Sequence, residues 1–252
     1  MVMSLGVLAL LMATPALELE VFVPLCDGAQ LECGRAEAGD PRSLEANLYW
    51  GAAYGAERFL KRAPGFRVVS RRDPPAGAPV LRELVVERTP GRGERAVRLV
   101  LRAYAGEHID TALEDFLRAA AGGSAADLVV WVGHNRLMDR PPPETRTRPG
   151  TPARPAVILA CASEPSFTPV LAALGSEPVV LTRTFMAPEA YLLEALAASV
   201  ARHGPTAARP IRAALVEAYA RYQRITPGAA GSVFSRLPPR VGSGLAQPAP
   251  SR

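Results

Sequence analysis

Lysine is almost missing from this chain: of 29 Lys plus Arg in 252 residues the one lysine is Lys61, so arginine carries nearly all of the basic charge. The skew reads as coding bias towards GC-rich codons, not as a basic surface selected for a partner. With 24 acidic residues the net charge is only +5, and the arginines are scattered, many beside Asp or Glu. A nucleic-acid partner is therefore not expected. Cysteine is equally scarce. Three residues, Cys26, Cys33 and Cys161, are too few for a disulfide scaffold and wrongly spaced for a four-ligand zinc site, so no metal is expected. No Walker-type loop and no complete Gly-x-Gly-x-x-Gly is present, since Gly91 and Gly93 fall in a hairpin-like turn. Phe167 stands where a cysteine-phosphatase loop would carry Arg, and no cofactor is implied.

What remains is globular composition, 48% hydrophobic and 21% charged. From Met1 to Leu17 there is no charged side chain; Leu5 to Met12 is apolar, and Thr14-Pro15-Ala16 offers small residues before a cut. Residues 1–16 therefore read as a secretory signal peptide and the protein as periplasmic or secreted. The run is shorter than the ~20 residues a bilayer requires, so no integral span is expected after cleavage. Residues 17–228 read as a single α/β domain, and 229–252, rich in proline and small residues, as a disordered tail. In an oxidising compartment Cys26 and Cys33 are close enough to bridge, leaving Cys161 as a free thiol.

Short apolar runs alternate with amphipathic ones. Leu19 to Leu25, Phe66 to Ser70, Val80 to Arg88, Arg95 to Tyr104, Leu128 to Val132, Ala156 to Ala160 and Val179 to Thr182 read as strands. Helical spacing marks 44–62, with Asn47 as cap, and also 109–121, 167–174, 188–201 and 206–222. The order predicts a three-layer α/β sandwich with a mostly parallel central sheet. Arg140 to Pro155, rich in Pro and Arg, reads as an exposed loop.

Ligands of such sheets bind outside the carboxyl ends of the strands. One apolar strand is followed by His134, the next by Cys161. If the two strands are neighbours, an imidazole base stands beside a thiol, the arrangement that thiolate chemistry requires. Taken singly, a strand-end cysteine is usually packing and a strand-end histidine a turn residue; the pair carries the functional reading. His108 reads as a helix-start residue and His203 as a cap, and the loop acids Asp139 and Glu164 read as solvated.

The blocks Val129-Val130-Trp131-Val132-Gly133-His134-Asn135 and Val157-Ile158-Leu159-Ala160-Cys161-Ala162-Ser163 resemble the paired blocks of the caspase-like cysteine peptidases of clan CD. There an apolar strand ends in His-Gly and the next in Ala-Cys-x-Ser. The resemblance implies a caspase-like fold in a divergent bacterial member, a cysteine endopeptidase acting on peptides or proteins, with His134 as base and Cys161 as nucleophile. It makes Gly133, Asn135, which stands where the clan usually has Gly, and Ser163 oxyanion or site-shaping candidates. By similarity to the members specific for basic residues, Asp27 would pair with a basic side chain before the scissile bond. An Asp opening a turn before Gly28 is the plainer reading of that residue. Two alternatives stand beside the peptidase: a non-catalytic envelope binding or interaction protein on the same fold, and another thiol-dependent acyl transferase.

Overall fold

A computed structural model describes residues 15–145 and 150–236; most of the leader and the segment after 236 lie outside the described residues. Seven strands form one sheet: β1 (Leu17–Pro24), β2 (Phe66–Arg72), β3 (Val80–Arg88), β4 (Val97–Tyr104), β5 (Leu128–Val132), β6 (Ala156–Leu159) and β7 (Pro178–Val180). Their spatial order is β2-β3-β4-β1-β5-β6-β7, antiparallel across β2, β3 and β4 and parallel from β4 to β7. Strand periodicity divides the core in two. Leu19, Val21 and Val23 of β1, Leu128, Val130 and Val132 of β5, and Val157 and Leu159 of β6 face one side. There they meet α1 (Ala56–Leu60), α4 (Tyr191–His203), α5 (Ala208–Gln223) and α6 (Pro227–Val233). Phe22, Val129, Trp131 and Ile158 face α2 (Ile109–Arg118) and α3 (Ser163–Ala173) on the other. The result is a three-layer α/β arrangement around a mostly parallel sheet.

Over the β2-β3 hairpin the second face stays open to solvent. There the arginines find partners across strands: Arg67 with Glu87, Arg72 with Glu83, and Arg102 with both Glu20 and Glu83. Exposed pairs of this kind contribute ~0–1 kcal/mol each; their main effect is to offset the arginine charge on this face, in line with the interspersed acids of the sequence.

Two expectations are corrected. The stretch 44–62 is a chain of turns in which only Ala56–Leu60 is helical. A Cβ on Gly51 would lie 2.3 Å from the Glu45 backbone and one on Gly55 2.4 Å from that of Trp50, so the chain folds on itself too tightly for a helix. Asn47 is no helix cap. Fully buried, it accepts from the N–H groups of Cys26 and Tyr49 and donates to the carbonyls of Cys26 and Asp40. It thereby ties the loop to the end of β1. Residues 229–236 likewise are not a disordered tail, and the rest of the expected tail lies outside the described residues. Thr226 caps α6, and Phe234 is buried and bridges to Thr182.

Cys26 and Cys33 form a disulfide in the same loop region. Replacing both by serine should lower unfolding free energy by about 2–3 kcal/mol in urea titrations, the loop-entropy value for a bridge of this span. An unchanged midpoint would mean that Asn47 alone holds the loop.

Candidate functional site

Adjacent parallel strands β5 and β6, paired in register at Val132 and Leu159, deliver His134 and Cys161 to the same edge of the sheet. Their loops are joined by one side chain. Asn135, with no exposed surface, donates from Nδ2 to the Cys161 carbonyl at 2.7 Å, the Ala162 carbonyl at 3.3 Å and Ser166 Oγ at 3.0 Å. Its Oδ1 accepts from the Leu137 N–H at 3.1 Å and so opens the short turn Arg136–Met138. The pattern is chemically unambiguous, because an amide oxygen in place of Nδ2 would face two carbonyl oxygens.

Cys161 is half-buried and is a free thiol. Its Sγ accepts from the Met186 N–H at 3.4 Å and donates towards the Met186 carbonyl at 3.5 Å. Ala162 follows in left-handed backbone, φ 43° and ψ 45°, which costs a non-glycine residue about 1–2 kcal/mol and makes the sharp turn into α3. The Thr184 carbonyl, which accepts from the Ala162 N–H, and the Asn135 amide hold that strained residue. Strain of this kind persists only where its surroundings impose it. The first amides of α3 are engaged, Ser163 N–H with Thr182 Oγ1 and Glu164 N–H with the Thr182 carbonyl. Among the contacts at the sulfur, the Met186 N–H is therefore the donor suited to a thiolate.

Two tyrosines flank the thiol. Burial, with the charge that Cys161 can carry as a second cause, raises the phenol of Tyr49 well above its ordinary range. Tyr219 is raised chiefly by burial, with smaller contributions from Glu189 and Cys161, while its oxygen accepts from the Ala187 N–H. Both remain neutral at physiological pH. On the other side His134 lies with its Nε2 2.6 Å from Asp139 Oδ2, and its carbonyl accepts from Trp131 Nε1. Gly133, at φ 142°, brings the chain against Pro24 and the Tyr49 ring, where a Cβ would stand 3.3–3.5 Å from both.

The remaining candidates fall in other roles. Ser163 is fully buried and bonds Thr182, and Asn135 is committed to the two loops, so both shape the site from beneath and neither faces an oxyanion. Asp27 is nearly buried. Its oxygens accept from the Ala29 N–H and the Gln30 amide, which closes its own turn. Asp139 is exposed, as expected of a loop acid, and is also the partner of His134. A cleft of about 660 Å³ opens beside it, with Leu137, Met138, Asp139, Ser166, Val170 and Leu174 in its walls.

Fold and site together define an α/β protein whose parallel sheet carries a histidine and a free thiol at neighbouring strand ends. No family model, curated protein or solved structure matches the chain. Among the described residues no helix is long and apolar enough to cross a membrane, and no cluster of three or more metal-ligating side chains occurs.

Proposed function

We propose that this chain is an exported cysteine-dependent peptidase of caspase-like fold, with Cys161 as nucleophile and His134 as general base. The observation that carries the reading is the placement of these two residues at the ends of adjacent parallel strands, in loops joined by Asn135. The imidazole takes the thiol proton, the sulfur attacks the peptide carbonyl carbon, and the amine leaves with the proton from His134. Water then cleaves the thioester. The cleft that begins at Asp139, the partner of His134, offers space for a ligand next to the histidine loop. Export is supported by the Cys26–Cys33 disulfide together with the apolar leader sequence.

One observation favours the binding-protein reading: the thiol bonds to Met186 and the histidine to Asp139, each within its own surroundings. A single experiment separates the two. Purified protein is assayed on a peptide library that includes Arg- and Lys-containing sequences, beside Cys161→Ala and His134→Ala. Expected is hydrolysis by the parent chain and a loss of at least about 1,000-fold in each variant. Equal rates in parent and Cys161→Ala, or peptide binding without turnover, would overturn the peptidase.

A further inference from the structure

We propose that Asp139 is the positioning residue of this site. Its carboxylate sets the tautomer and orientation of the His134 ring, and Arg136 and Asp110 hold that carboxylate in place. The inference deepens the Cys161/His134 reading and rests on it.

The geometry begins with Asn135, whose oxygen caps the turn Arg136–Met138 and folds the chain back, so that Asp139 returns to the histidine five residues before it. Asp139 Oδ2 lies 2.6 Å from His134 Nε2, and Arg136 Nη1 approaches the same oxygen at 3.4 Å. Arg136 is itself anchored on a different element. Its Nε and Nη2 grip the two oxygens of Asp110 at 2.6 and 3.0 Å, a bidentate pair at the first turn of α2. Arg140 adds a contact to Asp110 at 3.6 Å. The Arg136 guanidinium holds the Asp110 carboxyl below its ordinary range. The side chains of His134 and Arg136 are 14% and 12% exposed, so the chain from ring to helix is shielded from water except at the two acids.

The chemistry follows from the donor inventory of imidazole. A carboxylate can only accept, so the nitrogen facing Asp139 carries the proton and Nδ1 keeps its lone pair. When Nδ1 takes the proton of Cys161, the S–H bond breaks, an N–H bond forms, and the imidazolium so created is stabilised by the adjoining negative charge. The groups that contact the ring and its acid are Asp139 and Arg136 from its own loop, with Asp110 of α2 behind Arg136 and Arg140 on Asp110; Cys161 stands at the end of the adjacent strand. Without Asp139 the ring would be free to turn about χ2 and present either nitrogen.

The test uses full-length protein and needs no peptide substrate. Alkylation of Cys161 by iodoacetamide is timed at neutral pH, and the ring nitrogen shifts of the three histidines, which report the tautomer, are recorded by NMR, in the parent, Asp139→Asn, Asp139→Glu and Arg136→Gln. Asp139→Asn should turn the single Nε2–H tautomer of His134 into a mixture of the two and slow alkylation at least tenfold, with His108 and His203 unmoved. Asp139→Glu should restore part of the rate, and Arg136→Gln should show a smaller loss with the ring contact kept. An unchanged His134 tautomer in Asp139→Asn, or an unchanged alkylation rate, would overturn the proposal. Loss of the peptidase reading would appear elsewhere, as turnover that survives Cys161→Ala, so the two failures are distinguishable.

Discussion

Asn135→Ala should cost about 2–4 kcal/mol of stability and slow alkylation of Cys161 at least tenfold. The buried side chain donates to the Cys161 and Ala162 carbonyls and to Ser166 Oγ and accepts from the Leu137 N–H. Its removal takes the partner from both carbonyls, and each unmet buried group costs ~1–3 kcal/mol. More consequential is the geometry lost. The amide is the direct tie between the histidine and cysteine loops, and the left-handed Ala162 would relax once the bond to its carbonyl is gone. Misplacement of a reacting pair by about 1 Å can cost ~100-fold in rate. Asn135→Asp is the sharper variant, since a carboxylate oxygen would then face two carbonyl oxygens and push the loops apart. Urea titration and iodoacetamide kinetics read both effects; parent-like values in both variants would mean that backbone packing alone aligns the two strand ends.

A second large effect is expected far from this edge, where Arg82→Ala should destabilise the protein by about 3–5 kcal/mol, the usual consequence of leaving a buried charge without its partner. Arg82 and Glu57 are both nearly inaccessible. The guanidinium reaches Glu57 at 2.8 Å and both oxygens of Asp73 at 2.7 and 2.8 Å. Glu57 also accepts from Trp50 Nε1 at 2.7 Å and from Lys61, the one lysine of the chain. This network locks the β2-β3 hairpin onto the turn-rich stretch before α1. In a domain of this size the loss corresponds to a Tm lower by roughly 10 °C. The double change Glu57→Leu with Arg82→Met, which removes both charges, should recover most of it, because the penalty lies in the unpaired charge. A double variant as unstable as Arg82→Ala would contradict that reasoning.

The same network makes the fold acid-sensitive. Burial pushes the Glu57 carboxyl up, yet hydrogen bonds from Lys61, Arg82 and Trp50 outweigh it and leave it below its ordinary value. Asp73 is held well below the carboxylate range, chiefly by Arg82. Arg88, the Gly91 N–H and Arg202 bring Glu94 down to about 2 from an ordinary 4.5. For acids with lowered values the folded state binds fewer protons. The stabilisation is therefore present above the unfolded value and disappears as pH falls through about 4.5 towards 2. Glu189 and Glu194 are raised by burial and act in the opposite sense, since their protonation relieves a cost of folding.

How much of this was legible in the residues varies with the range of the interaction. Continuous apolar runs in Leu128 to Val132 and Ala156 to Leu159, where every residue is buried, marked both strands and their ends. A sequence separation of seven between Cys26 and Cys33 suffices to suggest a bridge. Helical spacing in 44–62 misled, because apolar residues three and four apart arise equally in tight turns. What forbids the helix is contact of Gly51 and Gly55 with backbone several residues earlier. Asp139 read as a loop acid since no local pattern shows that a capped turn folds it back on His134. The turn reading of Asp27 was legible from Gly28 beside it, and the structure adds Ala29 and Gln30 as its donors.

The sequence by itself determined which side chains point to the core, where strands stop, and that one histidine and one thiol stand at strand ends. Those properties are local, set by the two-residue period of a strand and by the turn residues after it. Tertiary structure alone decided that these strands are neighbours and that Asn135 joins their loops. It also set an acid beside the histidine and arginines against glutamates across strands. Contacts between residues dozens of positions apart depend on the order in which strands assemble, and that order has no signature within any one segment.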